Sequence, residues 1–179
     1  MRKVNAVTTV LLIVLFLMHG IFGAMNISGI GFIPMTAVTY IFVLLLAVHI
    51  VIGVMLTVRT IRVKKKTGVS YPKENRLFWA RRISGFAIMI FMLVHFVSFS
   101  YTDGDTLRLH RFDALRLTGN IMLVLSLAVH IISNARPAMI ALGIKRLREY
   151  AADILVVLSV LLAFMGAAFV VYFIRWNFV

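Results

Sequence analysis

Four imidazoles sit where hydrocarbon is expected. "VLFLMHGIFG" carries His19, "LLAVHIVIG" carries His49, "FMLVHFVSF" carries His95 and "SLAVHIISN" carries His130. An ionisable side chain inside a run of this kind is costly to bury, so it is read first as a working group. Imidazole can ligate a metal, relay protons or hydrogen-bond between helices. A proton relay would normally include a carboxylate at similar depth, and these runs hold none. The chain has no cysteine. That excludes a thiolate-held iron–sulfur cluster, covalent c-type haem attachment and any disulfide. A metal here must be held by His, Met or oxygen ligands. Zinc fits poorly, because a two-His site with no carboxylate nearby is short of ligands.

What positions these imidazoles is read from hydropathy. The 179-residue chain is about one domain long, 62% hydrophobic and 14% charged, with mean hydropathy +1.01. That is more apolar than a soluble domain. Five runs are long enough to cross a bilayer as helices, at about 4–25, 34–58, 77–100, 114–135 and 152–174. The runs are continuous and do not alternate every second residue, which argues against a β-barrel. The fold class is therefore all-α: a polytopic bundle of five transmembrane helices forming a single domain over 1–179. Arg2 and Lys3 before an apolar stretch also fit a signal peptide. Cleavage at Ala24 would place Phe22 where a small residue is wanted, so the first span is expected to stay. Pro34 suits the first turn of the second span and Pro137 the end of the fourth. "TDGD" at 102–105 is a turn.

The net charge of +13 lies in the loops. Arg2 and Lys3, the segment 59–82 and the segment 136–149 together hold 15 of the 19 basic residues on one side of the spans. Arg108, Arg111, Arg116 and Arg175 fall on the other side, among Asp103, Asp105 and Asp113. By the positive-inside rule the N-terminus is cytoplasmic and the C-terminus outside. The loops are short (26–33, 59–76, 101–113 and 136–151), so function resides in the bilayer or at its faces. The basic loops also read as a docking surface for a soluble partner or anionic headgroups, and no nucleic-acid role is expected.

Helical rise converts position into depth. From the cytoplasmic ends, His19 lies about 22 Å in and His95 about 25 Å, against about 13 Å for His49 and about 10 Å for His130. The four thus fall into two pairs, His19 with His95 and His49 with His130. Two imidazoles at one depth on facing helices are what a six-coordinate b-type haem requires, since the porphyrin supplies the other four nitrogens. Four such residues would hold two haem b groups, with irons differing in height by roughly 12 Å. One turn beyond each His stands a small residue, Gly23, Gly53, Ser98 or Ser133, as a flat macrocycle beside the ligand would need. Small residues also serve ordinary helix contacts in membranes. His110, in the outer loop, is either simply solvated or part of an outer quinone site.

"WARRISGFAIMIFMLVHF" (79–96) and "LTGNIMLVLSLAVHIISNARPAMIALGIK" (117–145) resemble a known family. It is the five-helix dihaem cytochrome b membrane-anchor subunit of succinate:quinone oxidoreductases, the succinate dehydrogenases and fumarate reductases. An Arg/Ser–Gly helix start precedes one ligand-bearing span, and a second such span ends in a polar, basic segment. The His-bearing first two spans and the His-free fifth extend the resemblance over the whole chain. It implies His19/His95 as axial ligands of the outer haem and His49/His130 of the inner one.

The same resemblance implies an iron–sulfur subunit and a flavoprotein subunit docked on the cytoplasmic face of the inner membrane. Electrons would pass between them and a quinone of the menaquinone type, while succinate chemistry would belong to another chain. Haem propionates need cationic or hydrogen-bonding partners. Inner candidates are Arg59, Arg62, Arg82 and Arg136, and outer ones Asn26, Ser28, Arg108 and Arg116. Each arginine is equally well read as charge that sets topology. Quinone-site candidates are Ser84 beside Arg82 on the inner side, and Asn26 and His110 on the outer. Two departures stand out. Ala128 occupies the position where some relatives carry a Glu tied to transmembrane proton transfer, and "MNISGIGFIPM" (25–35) lacks the acid that others place near an outer quinone. Two other readings remain: a dihaem cytochrome b serving a formate dehydrogenase or hydrogenase, and a haem-free small transporter or assembly protein.

Overall fold

The computed structural model describes residues 2–31, 33–68, 72–99, 102–103, 106–107, 112–143 and 147–178. Five helices carry nearly all of them: α1 (Arg2–Ser28), α2 (Thr36–Thr67), α3 (Pro72–Phe99), α4 (Ala114–Ala141) and α5 (Leu147–Phe178). Each is long and apolar enough to cross a membrane, so the chain is a multi-pass membrane protein. Between α3 and α4, β1 (Thr102–Asp103) pairs antiparallel with β2 (Thr106–Leu107), Thr102 opposite Leu107. This short ribbon brackets the expected turn, whose residues 104–105 lie outside the described ones.

The helices outrun the apolar spans. The segment 59–67 was expected as loop, yet α2 continues through Arg59, Arg62 and Lys64–Lys66 and stops at Gly68, whose N–H bonds Lys64 O at 3.1 Å. Long cationic side chains are good helix formers, and lysines in a last turn oppose the negative end of the helix dipole. Likewise α4 runs past Pro137 to Ala141, where that proline was expected to end it. In a helix with neighbours, a proline's freed carbonyl can be satisfied locally.

Packing is uneven. The α3–α4 pair is the closest, with Gly119, Asn120, Leu123 and Ser126 buried along α4. Gly119 sits where a Cβ would come within 2.6 Å of Val94 Cγ1, so the Val94 side chain of α3 packs directly on the α4 backbone. α5 packs on α4 and on α1, and Ala24, Leu162, Met165 and Ala168 form the buried cluster between them. Ala128 packs against that cluster, an apolar contact where a carboxylate would be unpaired. α2 differs. It packs on α1 alone: among the described residues no Cα of α2 comes within 8 Å of one in α3, α4 or α5, and none of its residues is buried. A gap therefore separates α2 from α3 and α4, and side chains alone reach across it.

Candidate functional site

Two imidazole pairs occupy the space between the α1–α2 and α3–α4 pairs. The rings of His19 (α1) and His95 (α3) stand 6.1 Å apart, centre to centre, at an interplanar angle of 73°. The rings of His49 (α2) and His130 (α4) stand 6.5 Å apart at 84°. The structure thus brings together the residues that their depths along the helices matched. Among the described residues no hydrogen bond joins the two rings of either pair. An imidazole nitrogen lies about 1.2 Å from its ring centre and binds a first-row metal at about 2.0 Å, so two imidazoles on opposite sides of one metal hold their centres about 6.4 Å apart. Both separations lie near that figure, and both also fall in the range of about 4.5–7 Å of ordinary edge-to-face ring contacts. No cluster of three or more His, Cys, Asp or Glu occurs among the described residues. A metal between either pair would thus have two imidazole ligands and no third from His, Cys, Asp or Glu among the described residues.

The second ring nitrogen decides which tautomer each imidazole adopts. His95 Nδ1 lies 2.8 Å from Asn120 Oδ1. The buried Asn120 amide is fixed in turn, because its Nδ2 donates to Arg116 O at 2.8 Å, a group that only accepts, and reaches Ser98 Oγ at 3.4 Å. Ser98 Oγ already donates to Val94 O at 2.7 Å, so it too accepts from Asn120. Asn120 Oδ1 must therefore receive a proton from His95 Nδ1, which leaves the lone pair on Nε2. His19 Nδ1 pairs with Thr39 Oγ1 at 3.1 Å, and the ring stacks on Phe42 at 5.7 Å. His130 Nδ1 pairs with Ser84 Oγ at 3.2 Å, and Ser84 also reaches Arg81 O at 3.2 Å. His49 Nδ1 is buried with no hydrogen-bond partner.

The surroundings differ between the pairs. Phe99 and Phe169 lie 5.1 and 6.1 Å from the His95 ring, and Phe112 and Tyr172 extend this aromatic wall. Around His130 the contacts are small and polar. A Cβ on Gly85 would lie 3.3 Å from His130 Cε1, and Arg81 Nε donates to Ser133 O at 2.8 Å one turn along α4. Beside Gly23 and Gly53 a Cβ would meet nothing within 4 Å, leaving open space next to His19 and His49.

The remaining candidates divide. Arg82 stacks on Phe78, Cζ 5.2 Å from the ring centre, interacts electrostatically with His130, and has a buried Nε with no partner. Arg59, Arg62 and Arg136 are exposed. Arg59 and Arg136 lie about 80° and 120° around their helices from His49 and His130, so the structure does not bring them to the imidazoles. Ser84 spends its hydroxyl on His130 and Arg81. Asn26 is occupied at both ends of its amide by Ile33, accepting from the backbone N–H and donating to the carbonyl at 2.9 Å each, so it locks the α1–α2 turn. Arg116 pairs with Asp113 at 3.0 Å at the start of α4. His110 and Arg108 lie outside the described residues.

Sequence reasoning missed Asn120, Thr39 and Gly85. Only Gly85 carried a local signal, in the "SGF" stretch that was expected to start a helix but lies more than three turns inside α3. The other two are ordinary polar residues until the helices are assembled. Comparisons with protein-family models, with curated proteins and with solved structures return no match to this chain.

Proposed function

We propose that this chain is a dihaem cytochrome b membrane anchor, with His19/His95 and His49/His130 as the two axial pairs. One observation carries the reading. Two imidazole pairs stand at 6.1 and 6.5 Å, each joining two helices (α1 with α3, α2 with α4) that have no Cα atoms within 8 Å of one another among the described residues. Two bound haem groups would supply one-electron redox centres within the membrane. The protein's part is to present Nε2 lone pairs at fixed positions and to keep the gap dry. Asn120 holds the His95 tautomer, Thr39 and Ser84 orient His19 and His130, and the Phe99–Phe112–Phe169 wall excludes water. The buried unpartnered Nε of Arg82 suits a propionate carboxylate at the inner pair.

With the basic helix ends on the cytoplasmic face, exposed Arg59, Arg62 and Lys64–Lys66 form a surface on which an iron–sulfur subunit and its flavoprotein would dock. The chain would then pass electrons between that subunit and a membrane quinone, as the resemblance to succinate:quinone oxidoreductase anchors implies. A reduced-minus-oxidised spectrum with pyridine haemochrome quantification on the purified complex tests the reading. Two b-type haems per chain are expected. One haem would make one pair structural, and none with the chain intact would discard the electron-transfer account. Co-purification with a flavoprotein supports the succinate or fumarate assignment, whereas a molybdenum or nickel subunit would move it to another dehydrogenase.

A further inference from the structure

At the end of the bundle away from the basic residues, α1 and α5 enclose a small pocket lined by Asn26, Ile27, Gly29, Tyr172, Arg175 and Trp176. Three features single it out. The Tyr172 ring is packed among Phe99, Phe112 and Trp176, and its hydroxyl is buried with no hydrogen-bond partner. The Arg175 guanidinium lies over Gly29, where any Cβ would collide with it, and is close enough to Tyr172 for the two to interact electrostatically. The pocket's polar side chains other than Asn26 are thus a phenol, a guanidinium and the Trp176 indole, all hydrogen-bond donors toward an oxyanion, and of these only the guanidinium is charged. Asn26 is committed to Ile33 and acts as a wall.

Helical register ties this pocket to the His19/His95 pair. Asn26 is seven residues beyond His19, which is two turns along the same face of α1 and about 10 Å in rise. On α5, Tyr172 and Trp176 are three and seven residues beyond Phe169, whose ring touches His95, and lie within about 60° of it. Arg175, six beyond, lies about 120° round and enters the pocket through its long side chain, which reaches over Gly29. The faces of α1 and α5 that meet the imidazole pair therefore continue into the pocket, two turns above it. Tyr172 and Arg175 themselves lie about 4.5 Å and about 9 Å in rise beyond Phe169, distances that a propionate arm of a group ligated at His95 would have to span.

From this placement we infer that Tyr172 and Arg175 form the carboxylate-binding site for a propionate of the haem ligated by His19 and His95. The inference rests on the dihaem reading and adds residues to it that the loop charges do not suggest. A lipid phosphate is the other oxyanion within chemical range. The register on the His19 face and the burial of Tyr172, 8% exposed, favour a carboxylate that arrives from the inside of the bundle.

Redox titration of the full chain, in its complex, tests the site. Arg175→Gln leaves an uncompensated carboxylate beside the iron, which favours the oxidised form. The expected result is a tenfold rise in the oxidised-to-reduced ratio at fixed potential, a shift of about 59 mV for a one-electron couple. It is confined to the haem that His19→Ala removes. Tyr172→Phe shifts the same haem in the same direction by less, and Arg175→Lys, which keeps the charge, stays near the parent. Unchanged potentials of both haems in both Arg175→Gln and Tyr172→Phe overturn the inference, as does an equal shift of both haems. The titration is repeated in vesicles of phosphatidylcholine alone and with added phosphatidylglycerol. A shift seen only with the anionic lipid assigns the pocket to a lipid phosphate and overturns the inference as well. Absence of haem from the parent chain is a different failure, and it removes the dihaem reading itself.

Discussion

His95 gives its Nδ1 proton to an amide that is itself fixed by a backbone carbonyl, inside a wall of phenylalanines. His49 has no partner for Nδ1 and stands on a helix with no buried residue. The two imidazole pairs thus share a spacing and differ in how firmly it is held. At His19/His95, α3 and α4 supply a finished network before any ligand is considered. At His49/His130 one ring leans on Ser84 while the other reaches across from α2, whose backbone lies against α1 alone. The lesson concerns preorganisation: one pair has its geometry imposed by tertiary packing, whereas the other depends more on whatever fills the gap.

The most severe way to break this comparison is to remove ligands in combination. His95→Ala or His49→Ala alone should reduce two haems per chain to one, and His19→Ala/His95→Ala together should also leave one. His95→Ala with His130→Ala should leave none by pyridine haemochrome. A haem retained in that cross-pair variant would sink the pairing. Next in size is Asn120→Leu, which strips His95 of the acceptor that fixes its tautomer. Loss of such a partner weakens metal-site affinity about 10–100-fold. Competition with an apo-cytochrome should show the loss at the His19/His95 haem only.

Gly119→Ala drives a Cβ to 2.6 Å from Val94 Cγ1, next to His95. Overpacking of this sort costs about 1–3 kcal/mol. A lower thermal midpoint is expected, with the His19/His95 haem released first on heating. An unchanged midpoint would mean that α3 and α4 separate easily, removing the contrast. The smallest effect is expected for Ser84→Ala, since the His49/His130 pair is less firmly held already. We expect below tenfold weakening, toward the low end of what such partners contribute. A loss as large as that from Asn120→Leu would show that the two pairs are equally preorganised.

Much of this was legible in the sequence, for a simple reason. The bilayer removes every backbone solution but the helix, so five apolar runs dictate five helices. A constant rise per residue turns position into height, so the residues of each pair were matched by counting. The helix ends were less legible. Hydropathy locates where a span leaves the hydrocarbon, not where hydrogen bonding stops, and α2 and α4 continue past Arg59 and Pro137. Heights also say nothing about rotation, so Arg59 and Arg136 looked as eligible as Arg82.

What the sequence determined by itself was the number of crossings, the depth of each imidazole and the absence of any thiolate or deep acid to share the task. The tertiary structure decided which groups meet sideways. It set Asn120 on His95, Thr39 on His19, Ser84 on His130, and Tyr172 with Arg175 above the His19/His95 pair. Those contacts depend on how each helix is rotated about its axis. Rotation follows from close packing between helices, such as Gly119 against Val94, and no single helix carries that information in its own sequence.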